Sequence, residues 1–159
     1  MTTLERLYRL LVSVASRLDS AFLLGLRLYW GVQMAQTGWG KLHSLERVTN
    51  FFTTLGIPAP GVNAVFIATL EFAGGILFAL GLGSRLIALL FLGDMLVAYY
   101  AADREALFSF FSNPDKFAAA TPFVFLVASS IVLIFGPGKY SLDAILAKRF
   151  SITATKRKL

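Results

Sequence analysis

The stretch VNAVFIATLEFAGGILFALGL, residues 62–82, decides the fold, together with RLIALLFLGDMLVAYYAA, residues 85–102, which follows almost at once. A helix needs roughly 20 apolar residues to cross the hydrocarbon core of a bilayer. Both runs read as such spans, interrupted by Glu71 in one and Asp94 in the other. The Gly83-Ser84-Arg85 link is too short to cross back over the membrane, so the two spans are antiparallel neighbours.

Upstream, SAFLLGLRLYWGVQMAQTGWG (20–40) reads as a first span carrying Arg27, Gln33 and Gln36. A more polar loop with two prolines and two glycines (41–61) separates it from the second, and 45–55 in that loop predicts a short interfacial helix. Downstream, 103–116 is a mixed-charge loop in which Asn113 is the expected N-cap and Pro114 the first residue of a last span, 114–135. Pro122 is expected to kink that span, and Gly136-Pro137-Gly138 to end it. The tail, 139–159, has a short amphipathic stretch (Leu142, Ile145, Leu146, Phe150) and the basic run Lys156-Arg157-Lys158.

Residues 3–19 place Leu4, Leu7, Leu11, Val14 and Leu18 on one helical face, opposite Glu5, Arg6, Arg9, Ser13, Ser16 and Arg17. Such a segment is too polar to span and predicts a helix lying in the interface. Its scattered charges are also unlike a cleavable signal peptide. The expected fold is therefore all-α: one integral membrane domain over 1–159, an antiparallel four-helix bundle with an N-terminal interfacial amphipathic helix.

Composition agrees. Of 159 residues, 57% are hydrophobic and only 15% charged, against about 45–50% and 25% in soluble domains. Mean hydropathy is +0.70. The net charge of +6 sits beside apolar blocks, where basic residues meet lipid headgroups, and not on a polar nucleic-acid-binding face. There is no cysteine and a single histidine. Disulfides, thiol relays and an evident ligand set for zinc, haem, iron–sulfur or copper are excluded within the chain. No dinucleotide fingerprint or nucleophile–base pair is visible, and no catalytic residue is assigned.

With both termini cytoplasmic, that side holds Arg6, Arg9, Arg17, Arg85, Lys139, Lys148, Arg149, Lys156, Arg157 and Lys158, against Lys41, Arg47, Arg104 and Lys116 outside. Ten against four is a clear positive-inside bias, which sets the orientation of a membrane protein. Trp39, Tyr99, Tyr100, Phe108, Phe110 and Phe111 then fall near the outer interface.

Arg27, Glu71 and Asp94 lie inside spans, where a lipid-facing charge costs about 2.5–3.5 kcal/mol or more. At about 1.5 Å per residue, their depths from the cytoplasmic side are roughly 10, 16 and 13 Å. They are expected to meet inside the bundle, with one carboxyl protonated or given another donor. The alternative is an ion pair that only fixes helix register. Arg27, Trp30, Gly31, Met34, Gly38 and Lys41 share one face of span one, with Lys41 and His43 at its outer mouth. The glycines there, and Gly74-Gly75 on span two, favour close helix packing. Arg27, Glu71, Asp94, Trp30, Gln33 and Lys41 are the candidate ligand-binding or proton-linked residues.

Together these pieces resemble the DoxX family of bacterial four-helix membrane proteins, over roughly residues 22–143. The matching elements are LRLYWG (Arg27, Gly31), TGWGKL (Gly38, Lys41), LGIPAPG, EFAGG (Glu71, Gly74, Gly75), LGLGSR (Arg85) and GPGKYSLD. The resemblance implies a membrane subunit of a quinone-linked oxidoreductase system, related to a thiosulfate–quinone oxidoreductase subunit. The implied cofactor is a quinone, with Arg27 donating to its carbonyl and Glu71 or Asp94 exchanging the proton. The implied partners are the lipid bilayer and a soluble or membrane oxidoreductase. The competing expectation is a non-enzymatic lipid-binding, assembly or proton-coupled transport protein. A carrier of only four spans would need a homo-oligomer.

Overall fold

The computed structural model describes residues 3–156, the side chains of Arg17 and of residues 150–156 excepted. All regular structure among them is helical: α1 (Thr3–Leu42), α2 (Leu45–Thr54), α3 (Pro60–Leu80), α4 (Ser84–Ala101), α5 (Arg104–Phe108), α6 (Pro114–Ala119), α7 (Pro122–Phe135) and α8 (Leu142–Lys156). The basic run at the end of the tail lies outside the described side chains.

Among the described residues, two helices, α3 and α4, are long and apolar enough to cross a membrane. Pro60 starts α3 at a position whose N–H would have no helical partner anyway. Gly81, at φ +71°, ends it; Leu82 N–H then bonds to Leu77 O and Gly81 N–H to Phe78 O, which closes the last turn. Gly83, also left-handed, leads into α4.

The expected boundary between an interfacial helix and span one is absent. Residues 3–42 form one unbroken helix of 40 residues, about 60 Å long. No glycine or proline interrupts it before Gly25, so the hydrogen-bond ladder has no reason to break where the polarity changes. Every described side chain from Thr3 to Asp19 is exposed, and burial begins at Ser20.

The last predicted span is divided. Asn113 does cap a helix, accepting the Lys116 N–H at 3.1 Å, but that helix ends at Ala119 and Ala120 is extended. Pro122 opens α7 and does not kink a longer helix. Its missing N–H and its ring, which clashes with the carbonyl four residues back, favour a new start.

Helix α1 lies along α3, and α4 along α7. Met34, Phe78, Ile87, Phe91, Met95 and Val132 form the buried core where these elements meet. Large apolar side chains also cover the outside, among them Val62, Leu86, Leu96, Val97, Ile134 and Phe135. That is a lipid-facing pattern, since soluble monomers rarely expose continuous apolar patches of this kind. Tyr99 departs from the expected aromatic belt: it is fully buried, stacks on Phe117 and donates its hydroxyl to Phe117 O at 2.7 Å.

Candidate functional site

The register of α1 against α3 is set by small residues. A Cβ on Gly31 would lie 2.8 Å from Gly75 O, and one on Gly75 would lie 2.5 Å from Ala35 N. At Gly38 a Cβ would lie 2.7 Å from the Glu71 carbonyl carbon and 2.8 Å from Ala68 O. The two backbones touch, as they do in membrane helix pairs built on small residues. Only one axial offset allows this contact, and it brings Glu71 opposite Gly38.

That register separates the three charges expected to meet. Arg27 lies 11 residues before Gly38, about 16 Å along the axis. It is fully buried, but at the other end of α3. Its Nη1 donates to Ala79 O at 3.1 Å and Phe78 O at 3.4 Å, and its Nη2 to Tyr140 O at 2.6 Å. These are carbonyls of the last turn of α3 and of the segment entering α8, where a cation is favoured by the helix dipole. Asp143 completes the clamp: its carboxylate accepts the N–H groups of Gly83 at 2.8 Å and Ser84 at 2.9 Å, and its own N–H donates to Gly81 O. Partial burial acts to raise the Asp143 carboxyl, but those N–H groups and the Arg27 charge outweigh it and leave its pKa below the ordinary value. Arg27 is thus a structural clamp on the α3–α4 turn, and the GPGKYSLD motif supplies its partners.

Glu71 instead meets Lys41. The Nζ of Lys41 donates to Glu71 Oε1 at 2.6 Å; the lysine side chain is 33% exposed and the glutamate 4%. Asp94 is level with Glu71, since each stands about ten residues from the shared turn. It is also buried, and both Glu71 Oε2 and Asp94 Oδ2 are shielded from solvent without a hydrogen-bond partner.

All three residues line one cavity of about 560 Å³. It lies between α3 and α4, and Phe51, Phe52 and Ile57 of α2 and its following loop close one end. Leu70, Leu90 and Val97 supply apolar wall, and Gly93 leaves part of α4 bare. The aromatic pair on α2 was missed as a site element in the sequence, although the apolar face of 45–55 was a signal. Of the remaining candidates, Trp30 packs edge-on against Phe125 and Gln33 is half-buried; neither lines the cavity. Among the described residues, no group of three His, Asp or Glu side chains is placed to hold a metal ion.

Elsewhere, Lys116 bonds to the exposed Glu105 at 2.8 Å and holds its carboxyl below the ordinary range. This joins α6 to α5 and does not touch the cavity.

The DoxX family model matches residues 22–104, which include α3, α4 and the packed part of α1. The chain is also 26% identical over 138 residues to the inner membrane protein YqjF of Escherichia coli K12, covering 84% of this chain and 98% of that protein. No solved structure matches it.

Proposed function

The chain belongs to the DoxX family of membrane proteins, and from that premise we propose that it is a multi-pass inner-membrane subunit binding a quinone or a similar lipophilic ligand between α3 and α4. The observation that carries this reading is the cavity itself. Its volume of about 560 Å³ falls within the range of small-molecule pockets, about 300–1,000 Å³. Its walls are largely apolar, and its three charged side chains, Lys41, Glu71 and Asp94, converge at one place.

In this reading α1, α3, α4 and the α6–α7 segment cross the bilayer, with both termini on the cytoplasmic side. Lys41 and α2 then lie toward the outer surface, and the ligand enters from the lipid between α3 and α4. The residues present suit such an occupant. Lys41 and Glu71 neutralise each other, the apolar walls exclude water, and Asp94 keeps a buried oxygen free to accept a proton or a hydrogen bond. When bound, a quinone supplies a two-electron, two-proton couple that the side chains of this chain lack. Electrons would pass to or from a partner oxidoreductase.

The test is mass spectrometry of lipids retained by protein purified in mild detergent. Near-stoichiometric quinone is expected in the wild type, with loss in Gly93→Phe. Gly93 lines the cavity and a Cβ there meets nothing within 4 Å, so the backbone accepts a side chain at the cavity wall. Absence of quinone from the wild type, or equal retention in both, overturns the reading. Proton-coupled flux in liposomes, abolished by Glu71→Gln in protein that retains no quinone, would replace it with solute transport.

A further inference from the structure

We infer that the occupant of this cavity presents a hydrogen-bond donor to Asp94 and Glu71, so that of a quinone couple the hydroxylated form, the hydroquinone, is the one held. The inference rests on the proposed quinone-binding reading and concerns the chemistry of the head group.

The asymmetry is in the wall. Among its lining residues, Glu71 and Asp94 each carry a carboxyl oxygen, Oε2 and Oδ2, that is buried and without a partner. Glu71 is 3% exposed and Asp94 8%. The cavity's ammonium, on Lys41, is already bonded to Glu71 Oε1 and stands at the more exposed edge. A buried polar atom without a partner carries its full desolvation penalty, and a carboxylate oxygen carries more than a neutral group. Lys41 compensates one carboxylate, and a ligand that offers only carbonyl oxygens leaves any further ionised oxygen uncompensated and sets lone pairs against its lone pairs. A ligand with hydroxyl groups compensates it and gains charge-assisted hydrogen bonds, the stronger kind. The hydroxyls donate without transferring a proton, so no oxidant is required for binding.

The experiment uses full-length protein in lipid nanodiscs under anaerobic conditions. Equilibrium binding is measured for a decyl-substituted hydroquinone, the matching benzoquinone and the hydroquinone dimethyl ether. The expected result is at least about tenfold tighter binding of the hydroquinone than of either other probe, as a single charge-assisted hydrogen bond would give. In Asp94→Asn, whose amide both donates and accepts, the ratio should fall toward one. Because the wild-type ratio is read without any substitution, a poorly folded variant does not decide the matter. Equal or tighter binding of the quinone or the ether overturns the inference but leaves the quinone-binding reading. Displacement of the hydroquinone by an equal concentration of decylammonium also overturns it, in favour of a cationic head group. Binding of none of the three quinone-type probes overturns both.

Discussion

Lys41 Nζ sits 2.6 Å from Glu71 Oε1, one turn of α1 beyond the point where Gly38 lies against the α3 backbone beside Glu71. The ion pair is therefore a consequence of the helix contact: the glycine sets the offset, and the lysine three residues later reaches the carboxylate. Breaking the pair from the lysine side should hurt most. Lys41→Met leaves Glu71 buried and uncompensated, which costs about 3–5 kcal/mol for a fully buried pair and less here, since Lys41 is partly exposed. Lys41→Met/Glu71→Gln should recover most of that loss. A double-mutant cycle on denaturant or thermal unfolding in detergent checks it; strictly additive losses would show that the two residues are not coupled.

The glycines of α1 should divide into two classes. Gly38→Val forces a side chain into the Glu71–Phe72 backbone; overpacking typically costs about 1–3 kcal/mol, and rigid backbone places this site at or above the upper end. A Cβ at Gly25 meets nothing within 4 Å, so Gly25→Ala should stabilise the helix by about 0.5–1 kcal/mol. Melting temperatures of the two variants should move in opposite directions.

The Arg27–Asp143 clamp predicts an acid-sensitive α3–α4 turn. The carboxyl of Asp143 titrates below its ordinary value in the folded chain. Its contribution is therefore complete above the unfolded-state value, about pH 3.9 for an aspartate, and is lost as pH falls through the lower, folded value. Asp143→Ala should destabilise the protein by about 0.5–2 kcal/mol at neutral pH, as expected for a lost N-terminal cap. It should also flatten the acid limb of the stability–pH curve. An unchanged acid limb in the variant would assign that limb to other groups.

Ala59 has a left-handed backbone, at φ +44°, in the turn between Pro58 and Pro60 that leads from the cavity rim into α3. That conformation costs a non-glycine residue about 1–2 kcal/mol. Ala59→Gly should raise stability by up to about 1 kcal/mol after the entropy of the unfolded glycine is deducted, with no change in ligand retention. A lower melting temperature would show that the turn is not strained.

Much of the chain could be read locally. The apolar runs that became α3 and α4, the glycine-rich turn between them and the Asn113 cap depend on residues within a few positions of each other. So does the common level of Glu71 and Asp94, which follows from counting out from a shared tight turn. Two boundaries were misread for local reasons. The change from polar to apolar face near residue 20 marks where α1 begins to pack, but a helix ends only where its hydrogen-bond ladder is broken. Pro122 broke its helix outright, where a kink was expected.

The partners of the charges were a different matter. The sequence determined that Arg27, Glu71 and Asp94 all lie on helices rich in apolar residues and need compensation there. Which groups would compensate them was decided by the tertiary structure, because it depends on the axial offset between α1 and α3. Depths counted from assumed span ends cannot supply that offset. It is set by backbone contact at Gly31, Gly38 and Gly75, where a shift of one turn would drive side chains into carbonyls. At the allowed offset Arg27 reaches the end of α3, and Lys41 stands beside Glu71.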